Sequence, residues 1–67
     1  MIAALRGEIL YYTEASVVVD TGGVGYEVFV PQSQLNELGS VGDDIFLYTH
    51  LQVKEDDMTL FGFTDRE

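Results

Sequence analysis

The sequence has no cysteine and no tryptophan, and only one proline and one histidine. Of its 67 residues only Arg6, Lys54 and Arg66 are basic, against twelve Asp and Glu, which gives a formal net charge of −9. The missing cysteine excludes disulfides and thiolate metal sites. The lone His50 has no second histidine to complete a typical zinc site. The shortage of basic residues argues against nucleic-acid binding by the ordinary route, because that affinity comes from cations that neutralise phosphates. Taken alone, the chain should repel DNA or RNA. No apolar run approaches the length of a membrane span. Met1 to Leu5 is apolar but has neither a basic n-region nor a long apolar run with a cleavage site. A cytosolic location without membrane association is the resulting expectation.

Hydrophobic residues make up 46% of the chain, too many for a disordered segment and enough for one compact core. A chain this short buries only about 60% of the surface it exposes when unfolded. Association with other copies or further domains is the usual remedy where disulfides are missing.

The apolar pattern has the period of β-structure. Ile2 to Tyr12 reads as a first strand, with Leu5, Gly7, Ile9 and Tyr11 on one face and Arg6, Glu8, Leu10 and Tyr12 on the other. Gly7 inside it is a candidate bulge or bend. Thr13 and Glu14 form a turn, and Ala15 to Thr21 a second strand around the β-branched run Val17-Val18-Val19. Gly22-Gly23 predicts a two-residue hairpin turn, since both glycines accept the positive φ of the primed turns. Val24 to Val30 is a third strand, ended by Pro31. Gln32 to Leu38 is the one helix candidate, capped by Ser33 and stopped by Gly39. Ser40 to Asp44 is a loop, Ile45 to Val53 a fourth strand and Met58 to Phe63 a fifth. The expected fold is all-β: a five-stranded Greek-key barrel of the OB type, with one short helix between the third and fourth strands. An SH3-like barrel is the competing architecture, disfavoured by where the helix falls. Residues 1–64 are expected to form the domain, with 65–67 the start of a linker.

Between the last two strands lies Lys54-Glu55-Asp56-Asp57. Three adjacent carboxylates repel one another, so this tip must sit in water. Its spacing is not that of an EF-hand, which needs alternating acids, a central glycine and a distant Glu. Val18-Val19-Asp20-Thr21-Gly22 has the form of an aspartic protease signature, but turn chemistry is the better reading. Gly23-Val24-Gly25 starts a dinucleotide fingerprint, but Val28 replaces the third glycine and a strand follows in place of a helix. His50 faces with Gln52, which suits a structural or solvent-facing role. Asp43-Asp44 reads as loop, and Arg6 as the partner of a surface acid. From the residues alone the chain is a non-enzymatic interaction domain.

Three stretches together resemble the RuvA N-terminal domain family: Met1-Ile2-Ala3-Ala4-Leu5-Arg6-Gly7, Gly22-Gly23-Val24-Gly25-Tyr26-Glu27-Val28, and Thr49 to Asp56 running on to Leu60-Phe61-Gly62-Phe63. The resemblance covers essentially the whole chain. It implies an OB barrel at the N-terminus of a protein that holds Holliday junctions in recombination, DNA repair and the SOS response. Family members form homotetramers on four-way junction DNA, grip it through helix-hairpin-helix motifs in a second domain, and engage the RuvB motor ATPase through a third. Those later domains are not in this sequence. The resemblance implies no cofactor and no catalysis, motor activity belonging to the ATPase. It assigns an acidic pin to Glu55 and Asp56 and makes Lys54 a candidate phosphate contact; Asp57 departs from the family's pattern, a third acid where a neutral residue is expected, which either strengthens the pin or merely flanks it. The alternative is an acidic protein-interaction barrel with no direct DNA role.

Overall fold

A computed structural model describes residues 3–64 of the chain. The expectations for Ile2 and for residues 65–67 lie outside the described residues. Five strands and one helical turn follow in the order β1 (Ala4–Tyr12), β2 (Ser16–Asp20), β3 (Gly25–Phe29), α1 (Gln32–Leu35), β4 (Asp44–Lys54) and β5 (Asp57–Phe63). They close into a barrel with strand order β1-β2-β3-β5-β4. All pairs are antiparallel except β3 with β5, which run parallel through Val28↔Leu60 and Phe29↔Phe61. This is the OB-type barrel expected from the strand order, with the helix between β3 and β4 as expected.

The β-branched run of β2 explains the centre of the core. Val17, Val19, Val28, Ile9 and Leu47 are fully buried, and Leu5, Val30, Leu35, Ile45 and Leu60 complete the cluster. At Gly22 and Gly23, φ values of 82° and 112° form the expected tight turn between β2 and β3. Asp20 locks that turn, its Oδ1 accepting the Gly23 N–H at 2.8 Å.

The structure corrects several details. The bulge in β1 is at Leu10, not Gly7: Ile9 pairs with Val19 but Tyr11 pairs with Val18. The extra residue shifts the alternation by one. Tyr11 therefore swings out, 55% exposed, away from the face of Leu5 and Ile9. Tyr12 turns toward the core and donates its hydroxyl to the Gly39 carbonyl at 2.6 Å. Gly7 instead marks a close approach, since a Cβ there would collide with the backbone carbonyl of Asp20.

The helix is one turn, Gln32–Leu35, rather than reaching Leu38. Pro31, not Ser33, holds the cap position, and its carbonyl accepts from Gln34 and Leu35 at 2.9 and 3.0 Å. So short a helix does not recover its nucleation cost by itself. It persists because Leu35 is buried over the end of the barrel, and Leu38 packs there too from the turn that follows.

Candidate functional site

β4 and β5 form the longest antiparallel pair, in register from Tyr48↔Phe63 to Lys54↔Asp57. The strands reach one residue further at each side than the sequence suggested, so the tip shrinks from four residues to a two-residue turn, Glu55-Asp56. Pleating places Leu47, Leu51 and Val53 of β4, with Leu60 and Met58 of β5, on the inward face. Burial along this face falls steeply. Leu47 is fully enclosed and Leu60 is 7% exposed, but the cross-strand pair Val53 and Met58 is 65% and 66% exposed. The hairpin thus leaves the barrel beyond Leu51 and Leu60, and every residue from Gln52 to Met58 is exposed.

Gly62 is the residue that seats this hairpin. A Cβ there would lie 2.5 Å from Val28 Cγ1 and 3.4 Å from Leu47 Cδ1. Without a side chain at that inward position, β5 can lie close against β3 and close the barrel.

The turn itself is chemically unusual for its length. Two-residue hairpins favour primed turns, which need positive φ and hence Asn-Gly or similar pairs. Neither Glu55 nor Asp56 has positive φ. The position is occupied by charge where turn propensity would select otherwise.

The three acids are not equivalent. Asp57 belongs to β5, and its Oδ2 accepts the Thr59 hydroxyl at 3.1 Å. Its carboxylate is drawn back along the strand. Glu55 and Asp56 accept no hydrogen bond from any described residue. Lys54 stands opposite Asp57 and forms no ion pair among the described residues. The tip therefore presents two unpartnered carboxylates over an exposed apolar pair.

The remaining candidates resolve toward their structural readings. Asp20 is committed to its own turn, as described above. Asp43 closes a loop, its Oδ2 accepting the Ser40 N–H at 2.9 Å. His50 is exposed on the outward face, opposite Phe61. No group of three or more His, Asp or Glu suited to a metal ion occurs among the described residues. Arg6 departs from its expected role: it pairs with no described acid, and lines a cavity of about 260 Å³ with Thr21 and Tyr26. No helix among the described residues is long and apolar enough to cross a membrane. Strand spacing makes the tyrosines and phenylalanines core or interface residues without choosing between the two, and Phe29, Phe46, Phe61 and Phe63 lie outside the buried cluster. Ile45-Phe46-Leu47-Tyr48, apolar on both faces of one strand, was the available signal.

A closed OB-type barrel with a projecting, acid-tipped hairpin defines a small β-barrel domain. The chain belongs to the family described as the RuvA N terminal domain, which its residues 1–62 match. It is 48% identical over 65 residues to the Holliday junction branch migration complex subunit RuvA of Chloroflexus aggregans, covering 97% of this chain and 33% of that protein. The protein of the same description from Lachnospira eligens is 42% identical over 67 residues, 100% of this chain and 32% of the relative. That of Halorhodospira halophila is 47% identical over 66 residues, 98% of this chain and 32% of the relative. The chain thus spans about a third of the length of the curated relatives it matches.

Proposed function

We propose that this chain is the N-terminal domain of a Holliday junction branch-migration subunit, and that its hairpin tip acts as an acidic pin. The observation that carries the reading is the pair Glu55 and Asp56, alone in a two-residue turn at the end of a projecting hairpin and without a protein partner. Family membership supports the context.

The chemistry is repulsion. In a homotetramer, four copies around an axis bring eight pin carboxylates to the centre of a four-way junction. At about 10 Å in partly screened surroundings, each carboxylate–phosphate pair costs a fraction of a kcal/mol to about 1 kcal/mol. Summed over many pairs, that disfavours a duplex lying across the centre and holds the strands apart. Attraction must then come from basic surfaces in other domains, because this one carries −9. Lys54, unpaired beside the pin, is the one described cation placed to meet a phosphate at the tip. The domain itself is non-catalytic and needs no cofactor. Branch migration is driven by the RuvB motor ATPase, engaged through a separate domain, in the cytoplasm.

The test uses the longer protein that contains this domain. Glu55→Gln with Asp56→Asn should reduce its preference for four-way junctions over linear duplex in a competition gel shift. Unchanged preference would rule out the pin. Capture of a basic protein partner, with no junction preference in the unaltered protein, would instead support the protein-interaction reading.

A further inference from the structure

Beyond Leu51 and Leu60 the hairpin has two unlike faces. Its last rungs pair Gln52 with Thr59, Val53 with Met58 and Lys54 with Asp57. Pleating sends alternate rungs to opposite sides of the ribbon. Gln52, Thr59, Lys54 and Asp57 therefore share a polar side, and Val53 and Met58 stand together on the other. This apolar pair continues the row of Leu51 and Leu60, but the barrel no longer covers it. Val53 is 65% exposed and Met58 66%, the highest values of any large apolar side chain among the described residues. Single exposed apolar residues are ordinary. Here the two most exposed ones face each other across one rung, directly beneath the charged turn.

Together with Lys54, Glu55, Asp56 and Asp57, the pair lines one open hollow of about 550 Å³. Glu55 and Asp56 accept no hydrogen bond from any described residue, so both carboxylates are free acceptors. Asp57 is drawn back to Thr59, and Lys54 springs from the polar side of the ribbon. The hollow thus joins an apolar platform to unused acceptors. That combination sorts the parts of a nucleotide. A phosphate meets carboxylates there and is repelled. A base is uncharged, has flat apolar faces, and presents N–H donors on its pairing edge once its partner is lost. A second copy of the chain fits less well, because its own Val53–Met58 pair comes with the same three acids.

We propose that Val53 and Met58 seat a base that has lost its pairing partner at the branch point, with Glu55 or Asp56 accepting a hydrogen bond from its pairing edge. The inference rests on the junction reading of the hairpin given above and adds an attraction to it. The carboxylates push the backbone away, and the platform receives the base. Apolar wedges, Met among them, unstack bases elsewhere in DNA recognition. Contact with a base face is indifferent to sequence. Each of the four bases also has at least one N–H on its pairing edge, so a carboxylate can accept from any of them. Met58, unbranched and adaptable, fits bases of different size. The seat therefore suits a branch point that moves through any sequence.

The test uses the longer protein that contains this domain, at saturating concentration, and a four-way junction with the fluorescent base analogue aminopurine beside the crossover. The analogue brightens when it is unstacked, and the unaltered protein should raise its fluorescence. Val53→Ser with Met58→Ser should cut that rise by about half or more, with preference for junction over duplex unchanged in a competition gel shift. Val53→Leu with Met58→Leu keeps an apolar pair on the ribbon, should retain the rise, and controls for loss of strand structure. An equal rise with the serine variant overturns the proposal, as does no rise with the unaltered protein. A smaller assembly of the serine variant in sedimentation also overturns it, since the pair would then belong to a contact between copies. The pin is read by other variants and another signal: Glu55→Gln with Asp56→Asn acts on junction preference, so failure of the pin and failure of the base seat are told apart.

Discussion

Lys54 and Asp57 are partners on the last rung of the β4–β5 ladder, which leaves Glu55 and Asp56 alone in the turn. That single register fact separates residues which look alike in the sequence. Lys54 and Asp57 have strand geometry and a neighbour opposite; Glu55 and Asp56 have neither. The sharpest expectations concern this difference.

Glu55→Asn combined with Asp56→Gly should stabilise the domain while removing the pin. The replacement supplies a primed turn that matches strand twist and removes adjacent like charges. A gain of about 0.5–2 kcal/mol is expected, which raises the melting midpoint by several degrees for a domain of this size. Thermal denaturation followed by circular dichroism measures the gain. In the longer protein the same change should lower junction preference. Lower stability would mean that the acidic turn is itself structurally favoured.

Asp57→Asn should behave differently from the pin substitutions. The amide that replaces the carboxylate keeps an oxygen able to accept from Thr59, and the charge removed is the one already drawn back along β5. Junction preference in the longer protein should fall clearly less than with Asp56→Asn. An equal loss in competition binding would extend the pin to all three acids.

Gly62→Ala should destabilise by about 1–3 kcal/mol through overpacking. Its new methyl group would stand 2.5 Å from Val28 Cγ1. Val28→Ala removes that methyl and is costly alone, because Val28 is fully buried. Urea denaturation should show the double variant less destabilised than the sum of the single ones, the mark of two groups sharing one space.

Tyr12 should titrate above its ordinary value of 10.0, because burial and then the nearby charge of Asp43 both disfavour the phenolate. The folded state therefore prefers the neutral phenol. That contribution to stability is fully present below pH 10.0 and is lost as pH rises through the higher folded value. Ultraviolet titration of the folded chain should show one tyrosine ionising late, and Tyr12→Phe should remove it. The same change should cost about 0.5–1.5 kcal/mol at neutral pH, through the lost hydrogen bond to Gly39.

Much of the fold is legible in the residues because the signals are local. The Val17-Val18-Val19 run, the Gly22-Gly23 turn and the stop at Pro31 depend only on neighbours along the chain. So does the exposed position of Glu55 and Asp56, since adjacent carboxylates cannot be buried. The misplaced features are those where a distant segment decides. Gly7 has the look of a bulge, but its bareness answers to the carbonyl of Asp20, and the bulge falls at Leu10. The helix has capping and stop residues for two turns, yet packing over the barrel end supports only one.

Composition and strand period are properties of the chain alone, and they already call for an acidic, all-β, disulfide-free barrel with a charged hairpin tip. That Lys54 and Asp57 join the ladder while Glu55 and Asp56 alone form the turn, and that every phenylalanine lies outside the buried cluster, follows from the assembled fold. Both depend on register and barrel closure, where β3 meets β5 and Lys54 meets Asp57, and those are contacts between segments that no local pattern encodes.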